Sequence, residues 1–383
     1  MIDLIIKQYD RKLLIYLSLL ATIGTVMLYS ASWYESFLYS NGYTEMLFFK
    51  NHLKRLLIGM TLLVMFLILD YRSLKKIAPY LIIFSFLLLI LTKSIYLLKG
   101  HSWYKPARWL SIGLFSLQTS DIARFSIIIF ISYYVDKKRE DLKDFQNGLL
   151  PVLIILFIIM SLIIIQPDYS TAIMIGILGM TILFIGGAKI SQISLSCSLA
   201  LLLGIPVLLS REYRRQRVLS FFGIGDNPDV GYQANQSLIS LGNGGLFGTG
   251  LGNSIEKNHF LPTPHTDFIF AIIGEELGFL IGTVPVLTLF LFIFFQGIKI
   301  AKNCTDPFGV LLSIGIVTNL ILYAFVNAAV VTGLLPVTGL PMPMISYGGS
   351  GMIVNMSLIG ILLNISQAKR TVGDNKWSKA LYG

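Results

Sequence analysis

The stretch LPTPHTDFIFAIIGEELGF, Leu261 to Phe279, strings His265, Asp267, Glu275 and Glu276 through a run that otherwise reads as a membrane helix. Each ionisable group at a bilayer centre costs about 2.5–3.5 kcal/mol on insertion scales, so these residues need a use. Pro262 and Pro264 end the preceding loop, and Thr266 or Asp267 is expected to cap the helix that follows. Capping accounts for one carboxylate but not for Glu275 and Glu276, about two turns deeper. Asp267 and Glu275 are eight residues apart, hence near one face, with Gly274 leaving room beside them. Glu276 reads as the partner of a buried donor. A carboxylate at a membrane rim, with cations just upstream, fits a general base facing an anionic leaving group.

Upstream, REYRRQR places Arg211, Arg214, Arg215 and Arg217 around Glu212. Either these charges are merely solvated, or they form an anion site in which guanidinium forks match phosphate oxygens. Next, Gly242, Gly244, Gly245, Gly248, Gly250 and Gly252 crowd a short stretch, as backbone approaching a ligand or a mobile loop would require. No GK[ST] follows, so this is not a nucleotide loop. Asp121 and Arg124, three apart, share a helical face. They read as a self-neutralised buried pair or as a device that orients a substrate group. Asp168, in QPDYSTA, reads as a helix N-cap or as a direct member of a site.

The elements that must hold these groups follow from composition. The chain has 383 residues, of which 55% are hydrophobic and 13% charged, and its mean hydropathy is +0.73. A soluble domain of this length could not bury so much apolar surface. Apolar runs of about 18–25 residues, each able to cross a ~30 Å hydrocarbon core, recur from end to end. The expected fold is an all-α polytopic membrane protein, a single domain over 1–383. About ten transmembrane helices are expected, over 13–32, 53–70, 77–98, 119–135, 149–166, 170–187, 192–209, 268–297, 308–331 and 350–366.

Orientation follows from short-loop charge. Lys7, Arg11 and Lys12 precede the first run, and Arg72, Lys75 and Lys76 follow the second. Lys137, Lys138, Arg139 and Lys143 follow the fourth, and Lys369 with Arg370 follows the last. All fall on one side, which the positive-inside rule makes cytoplasmic, with both termini there and a tail at about 367–383. Lys50, Lys54 and Arg55 fall on the other side, against the trend. The net charge of +10 is thereby read as membrane orientation rather than nucleic-acid binding.

Three segments lie on the outer side: 99–121, a long loop at about 210–267 between the seventh and eighth runs, and 332–351. The last is too apolar for water, and Pro336, Pro341 and Pro343 bar a continuous helix. A re-entrant segment lining a site is the economical reading. No cleavable signal peptide is expected after Leu13–Ala31. Cys197 and Cys304 suggest no disulfide. The histidines His52, His101, His259 and His265 show no metal-ligand spacing. Asp226 and Asp229, or a diphosphate, could recruit a divalent cation, and no cofactor is otherwise implied.

The runs GYQANQSLISLGNGGLFGTGLGNSIEK, LPTPHTDFIFAIIGEELGF and TGLLPVTGLPMPMISYGGSG, with PARWLSIGLFSLQTSDIAR and QPDYSTA, resemble the SEDS family of FtsW, RodA and SpoVE over nearly the whole chain. The resemblance implies ten transmembrane helices and a processive glycosyltransferase that polymerises lipid II on the outer face of the bacterial cytoplasmic membrane. It also implies a class B penicillin-binding protein as partner, with other division or elongation proteins. In that setting Asp267 is the catalytic residue. Arg108, Gln118, Asp121, Arg124, Arg211, Arg214, Arg215, Gln233, Gln236, Lys257, His265, Ser346 and Tyr347 would contact substrate, with Asp168, Glu275 and Glu276 in support.

The implied chemistry is inverting formation of a β-1,4 linkage. An ordinary carboxylate, pKa ~3.9, is a weak base, so partial burial would help Asp267 by raising it. The match has departures. Asp121 and Arg124 stand where Glu and Lys are usual, Thr119 replaces Pro, Thr263 replaces Glu, and YGGSG ends in Gly351. GLGNSIEK and TGLLPVTGLP are closer to FtsW and SpoVE than to RodA. Two other classes compete: a lipid II flippase, which would favour inverted repeats that are not visible here, and a non-catalytic division scaffold.

Overall fold

The computed structural model describes residues 9–100, 107–112, 115–224 and 228–367. Lys7, His101, Asp226, Lys369, Arg370 and nearly all of the expected tail lie outside them. Helices dominate: α1 (Arg11–Tyr39), α2 (Leu47–Ile68), α3 (Leu74–Leu98), α4 (Thr119–Lys137), α5 (Leu150–Ile165), α6 (Tyr169–Ile185) and α7 (Ile190–Leu209). They continue with α8 (Glu212–Phe221), α9 (Pro228–Gly244), α10 (Ile269–Gly278), α11 (Val284–Asn303), α12 (Pro307–Val331) and α13 (Ser350–Ser366). Each of the ten expected stretches is helical over most of its length. Among the described residues, seven helical runs are long and apolar enough to cross a membrane, and α6 and α13 are shorter apolar helices. The chain is an integral membrane protein.

The all-α expectation is corrected at one place. Strands β1 (Trp109–Ile112) and β2 (Phe115–Gln118) pair antiparallel, with Trp109 opposite Gln118. Phe115–Gln118 alternates apolar and polar residues, and Trp109, Ile112 and Phe115 are aromatic or β-branched, which suits a pleated ribbon. β2 runs directly into α4 and so fixes Gln118 beside the first turn of that helix.

The interior is built from α4, α6, α12 and α13. Ile127, Ile128, Ile131, Leu312, Ile316, Leu358 and Leu362 are fully or almost fully buried. Close contact between α2 and α13 depends on small residues, since a Cβ at Gly360 would strike the Leu63 carbonyl. By contrast α7 buries no residue. Asp10 starts α1 by accepting from Leu13 N at 3.0 Å, and its own N–H donates to Ser366 Oγ. The start of α1 and the end of α13 therefore share one end of the bundle.

The single run expected over 268–297 is interrupted. α10 stops at Gly278, φ +77°, and a π-helical turn, Phe279–Thr283, precedes α11. The glycine-rich segment closes this break. Phe279 N and Leu280 N donate to the carbonyls of Gly245 and Leu246 at 2.9 and 3.0 Å. Thr249 N and Gly250 N donate to the carbonyls of Glu275 and Glu276 at 2.9 and 3.0 Å. These are backbone groups that a broken helix would otherwise leave unsatisfied. The glycines thus let backbone approach a helix, where the sequence suggested approach to a ligand. A Cβ at Gly248, φ +83°, would strike the Glu276 carbonyl. Gly248→Ala is expected to destabilise the protein by at least about 1–3 kcal/mol, the cost of a left-handed non-glycine residue. A lowered midpoint of thermal unfolding in detergent would show it.

Between α12 and α13 the chain is irregular yet largely buried from Leu340 to Ser346. Met342 N donates to Ser346 Oγ at 2.8 Å, and Ser346 N to the Met342 carbonyl at 3.0 Å, closing a turn without a helix. Gly24 of α1 gives this turn room, because any Cβ there would meet the backbone of Met344 and Ile345.

Candidate active site

Asp267 lies in the turn before α10, at the bundle end opposite Asp10 and Ser366. Neither it nor Thr266 caps the helix: Phe268 occupies the N-cap position and no side chain accepts a capping bond. Thr266 Oγ1 donates to the Thr263 carbonyl instead. The Asp267 carboxylate is left to face a cavity of about 260 Å³. Burial pushes its pKa up to about 6, while the guanidinium groups of Arg217 and Arg108 pull in the opposite direction.

Three layers of the cavity wall can be followed inward. At Asp267 act two cations, Arg108 in the cavity wall and Arg217 outside it. Arg217 of α8 donates from Nη1 to the Val337 carbonyl at 3.1 Å and lies 4.4 Å from the Tyr213 ring. Arg108, just before β1, donates to the Pro167 carbonyl and sits 3.8 Å from Asp168 Oδ1. Next comes Asp168 itself, buried, accepting from Gln118 Nε2 at 3.1 Å and Ser120 Oγ at 3.2 Å. It occupies the N-cap position of α6 but makes no capping bond, so its carboxylate serves the cavity wall and not the helix end.

The third layer is the Asp121–Arg124 pair, 3.1 Å apart. Asp121 also accepts from Ser350 Oγ at 2.7 Å, and that same oxygen accepts from Gln118 N at 2.9 Å. The Arg124 guanidinium lies 4.4 Å from the Tyr323 ring centre. Hairpin, α4, α12 and α13 are thus joined at one polar floor. Ser346 and Tyr347 complete the wall.

His265 stands behind it. Its carbonyl accepts from Tyr347 N at 2.9 Å, and its ring packs 4.5 Å from Phe48 and 5.5 Å from Tyr347. Burial pushes the imidazole down to about 4. It is therefore neutral near pH 7 despite Glu35 Oε2 at 3.4 Å.

The structure thus brings Asp267, Arg108, Gln118, Asp121, Arg124, Asp168, Ser346 and Tyr347 around one space. Others lie apart. Lys257, 1% exposed, bonds Glu276 Oε1 at 2.6 Å, the Gly252 carbonyl at 2.7 Å and Ser30 Oγ at 3.0 Å. Glu275 accepts from Ser240 Oγ, Ser254 Oγ and Ile255 N at 2.9, 2.6 and 2.9 Å. These groups and Lys257 knit the glycine-rich segment to α10, away from the cavity wall.

Arg215 pairs with the exposed Glu212 at 2.7 Å, Arg214 stacks 3.6 Å from the Tyr169 ring, and Arg211 starts α8 outside the cavity wall. Gln233 and Gln236 lie on α9, also off the wall. Arg217, Tyr323 and Ser350 were the functional candidates that sequence reasoning did not single out. Arg217 was one arginine of a cluster, and only the helical phase of α8, with Arg215 two residues away on a different face, separates them. Among the described residues no group of three or more His, Cys, Asp or Glu side chains could hold a metal ion.

The family model of the FtsW, RodA and SpoVE cell cycle proteins matches residues 10–371. The chain is 36% identical over 366 residues to the probable peptidoglycan glycosyltransferase FtsW of Geobacter metallireducens, covering 94% of this chain and 95% of that one. It is 35% identical to stage V sporulation protein E of Bacillus subtilis, covering 94% and 98%. Among solved structures, it resembles a chain from a peptidoglycan synthase complex studied for the coordination of polymerization and crosslinking. That match has a TM-score of 0.75 at 22% identity, covering 94% and 98%. Thermus thermophilus rod shape determining protein RodA has the same fold, at TM-score 0.66 and 22% identity, covering 95% and 99%.

Proposed function

The chain belongs to the FtsW, RodA and SpoVE family, and from that membership we propose that it is a peptidoglycan glycosyltransferase that polymerises lipid II for cell division. The relatives' names, FtsW and the sporulation protein, support the division role over elongation. The observation that carries the chemistry is Asp267, a carboxylate raised to about 6 that opens on a cavity lined by Arg108, with the Arg217 charge acting on it from outside the lining.

Asp267 takes the proton from the 4-hydroxyl of the acceptor GlcNAc as that oxygen attacks C1 of the lipid-linked MurNAc from the face opposite the leaving group. The C1–O bond breaks, a β-1,4 linkage forms, and undecaprenyl pyrophosphate leaves with the bonding pair. Arg108, in the wall, neutralises the charge developing on that pyrophosphate, and Arg217 adds its charge from outside the wall. The floor of Gln118, Asp121 and Arg124, braced by Ser350, orients the sugars, its ion pair preset so that little reorganisation is needed. The one cofactor candidate is a divalent cation brought in by the pyrophosphate.

In the membrane the ten helical stretches are the spans, with both termini cytoplasmic. The segment 332–351 re-enters from the outer side, and α8, α9 and the glycine-rich segment lie on that side. Grouping of Lys75, Asp136 and Asp306, with Lys75 Nζ 2.9 and 3.0 Å from the two carboxylates, supports placing that end with the other short basic loops. A class B penicillin-binding protein is the partner. The likeness to a chain of a complex that couples polymerization to crosslinking supports it.

The pH profile tests the base. Asp267 must be ionised to accept a proton, so activity is half-maximal near pH 6, nearly full one unit above it, and approaches a tenfold fall per pH unit further below. A carboxylate at its ordinary 3.8 would keep full activity well below 6. A rate of lipid II polymerisation that stays flat from pH 8 to pH 4.5 would show that the cavity does not raise Asp267 above its ordinary range.

A further inference from the structure

Asn327 sits in α12, 1% exposed and away from the cavity wall. Its amide nitrogen donates two hydrogen bonds, to the Asp267 carbonyl at 2.7 Å and to the Leu340 carbonyl at 2.8 Å. Both acceptors belong to irregular backbone: the turn before α10 and the proline-rich segment before α13. Such segments have no helical ladder of their own, so their carbonyls need outside donors. Asn327 supplies both from one rigid helix. The other end of the amide is informative. Asn327 Oδ1 is buried with no hydrogen-bond partner among the described residues. A residue serving stability alone would be expected to satisfy that oxygen.

The two segments also meet at the reacting group. Leu340 lines the cavity, and beside it a Cβ built on Gly339, φ +72°, would lie 3.5 Å from Asp267 Oδ2. A single amide therefore sets the distance between the carboxylate and the wall that keeps water from it.

We infer that Asn327 is a positioning residue that clamps the Asp267 turn to the 339–341 segment and thereby holds the carboxylate in the half-buried setting its basicity needs. The inference rests on the reading of Asp267 as the base. Without the clamp, Asp267 gains water and freedom to approach Arg108 and Arg217, and both changes favour its ionised form. Its pKa then moves down, toward 3.8. A weaker and less aligned base lowers kcat, while substrate contacts made by the floor and the arginines leave KM nearly unchanged.

The test uses the full chain, purified with its transpeptidase partner and supplied with lipid II, as Asn327→Leu and Asn327→Ser beside wild type. Leu matches the side chain in size without any donor. Ser leaves room for water to reach the two carbonyls and guards against misfolding. The expected result is a fall of about 10-fold to 100-fold in kcat for Leu, with a smaller fall for Ser. In both, KM stays within about twofold and the acid limb of the pH profile moves to lower pH. A fall in activity with the acid limb unmoved, or full activity in both variants, overturns the clamp. Wild type that polymerises nothing overturns the glycosyltransferase reading itself, which separates the two failures.

Discussion

Asp267→Asn is expected to lower lipid II polymerisation by about 10²–10⁴-fold, the usual worth of a general base. The substitution keeps the size of the side chain and leaves the carbonyl that Asn327 holds. It removes the negative charge beside Arg108 and Arg217 together with the capacity to accept a proton. Lipid II binding should survive, because the arginines and the polar floor are untouched. The loss should therefore appear in kcat, with little change in KM. Asp267→Glu should fall between the two, since its extra methylene pushes a carboxylate toward the space beside Gly339, already 3.5 Å from Asp267 Oδ2 for an added Cβ. Timed formation of glycan strands on a gel, with crosslinking blocked by penicillin, measures each variant.

The largest effect on stability is expected at Lys257 and Glu276, 1% and 0% exposed and 2.6 Å apart. Removing one partner leaves the other charge buried and unpaired, which typically costs about 3–5 kcal/mol. Lys257→Met should therefore lower the midpoint of thermal unfolding sharply, as should Glu276→Ala. Replacing both together with apolar residues of similar volume should restore most of the loss, because no unpaired charge remains. A double-mutant cycle in detergent or nanodiscs reads the coupling directly. If the single and double variants unfold together with wild type, the pair does not hold the glycine-rich segment to α10 and α1. Activity should fall with stability here but recover in the double variant, which distinguishes this pair from the base.

How far these roles could be read from the chain differs by element. The helices were legible because apolar runs of bilayer length rarely suit anything but a membrane span, and each of the ten stretches is helical. Asp267 stood out because a carboxylate at the rim of such a run is costly. The break after Gly278 was not legible: its signal is a lone glycine, while the partners that seal it, Gly245 to Gly250, come about 30 residues earlier. The glycine cluster suggests approach to a ligand or a mobile loop, whereas Gly244 and Gly248 lie against the backbone of a helix. Asp168, placed in a turn, suits an N-cap or a site member equally from the chain alone; its side chain makes no capping bond and turns to Gln118, Ser120 and Arg108. Lys257 carried a charge that suggested substrate, yet Glu276 and Ser30 absorb it. Arg217 could be told from Arg211, Arg214 and Arg215 only once α8 was placed. Long-range pairing of this kind has no local period, so composition and spacing cannot supply it.

The central claim is that the cavity at Asp267 makes a glycosidic bond and releases a lipid pyrophosphate. The most direct measurement counts both products from one reaction: disaccharides joined and undecaprenyl pyrophosphate freed, with lipid II on one leaflet of a proteoliposome. One pyrophosphate released per disaccharide added, lost in Asp267→Asn, is the predicted result. Movement of intact lipid II between leaflets with neither product formed, and unchanged in Asp267→Asn, would contradict it.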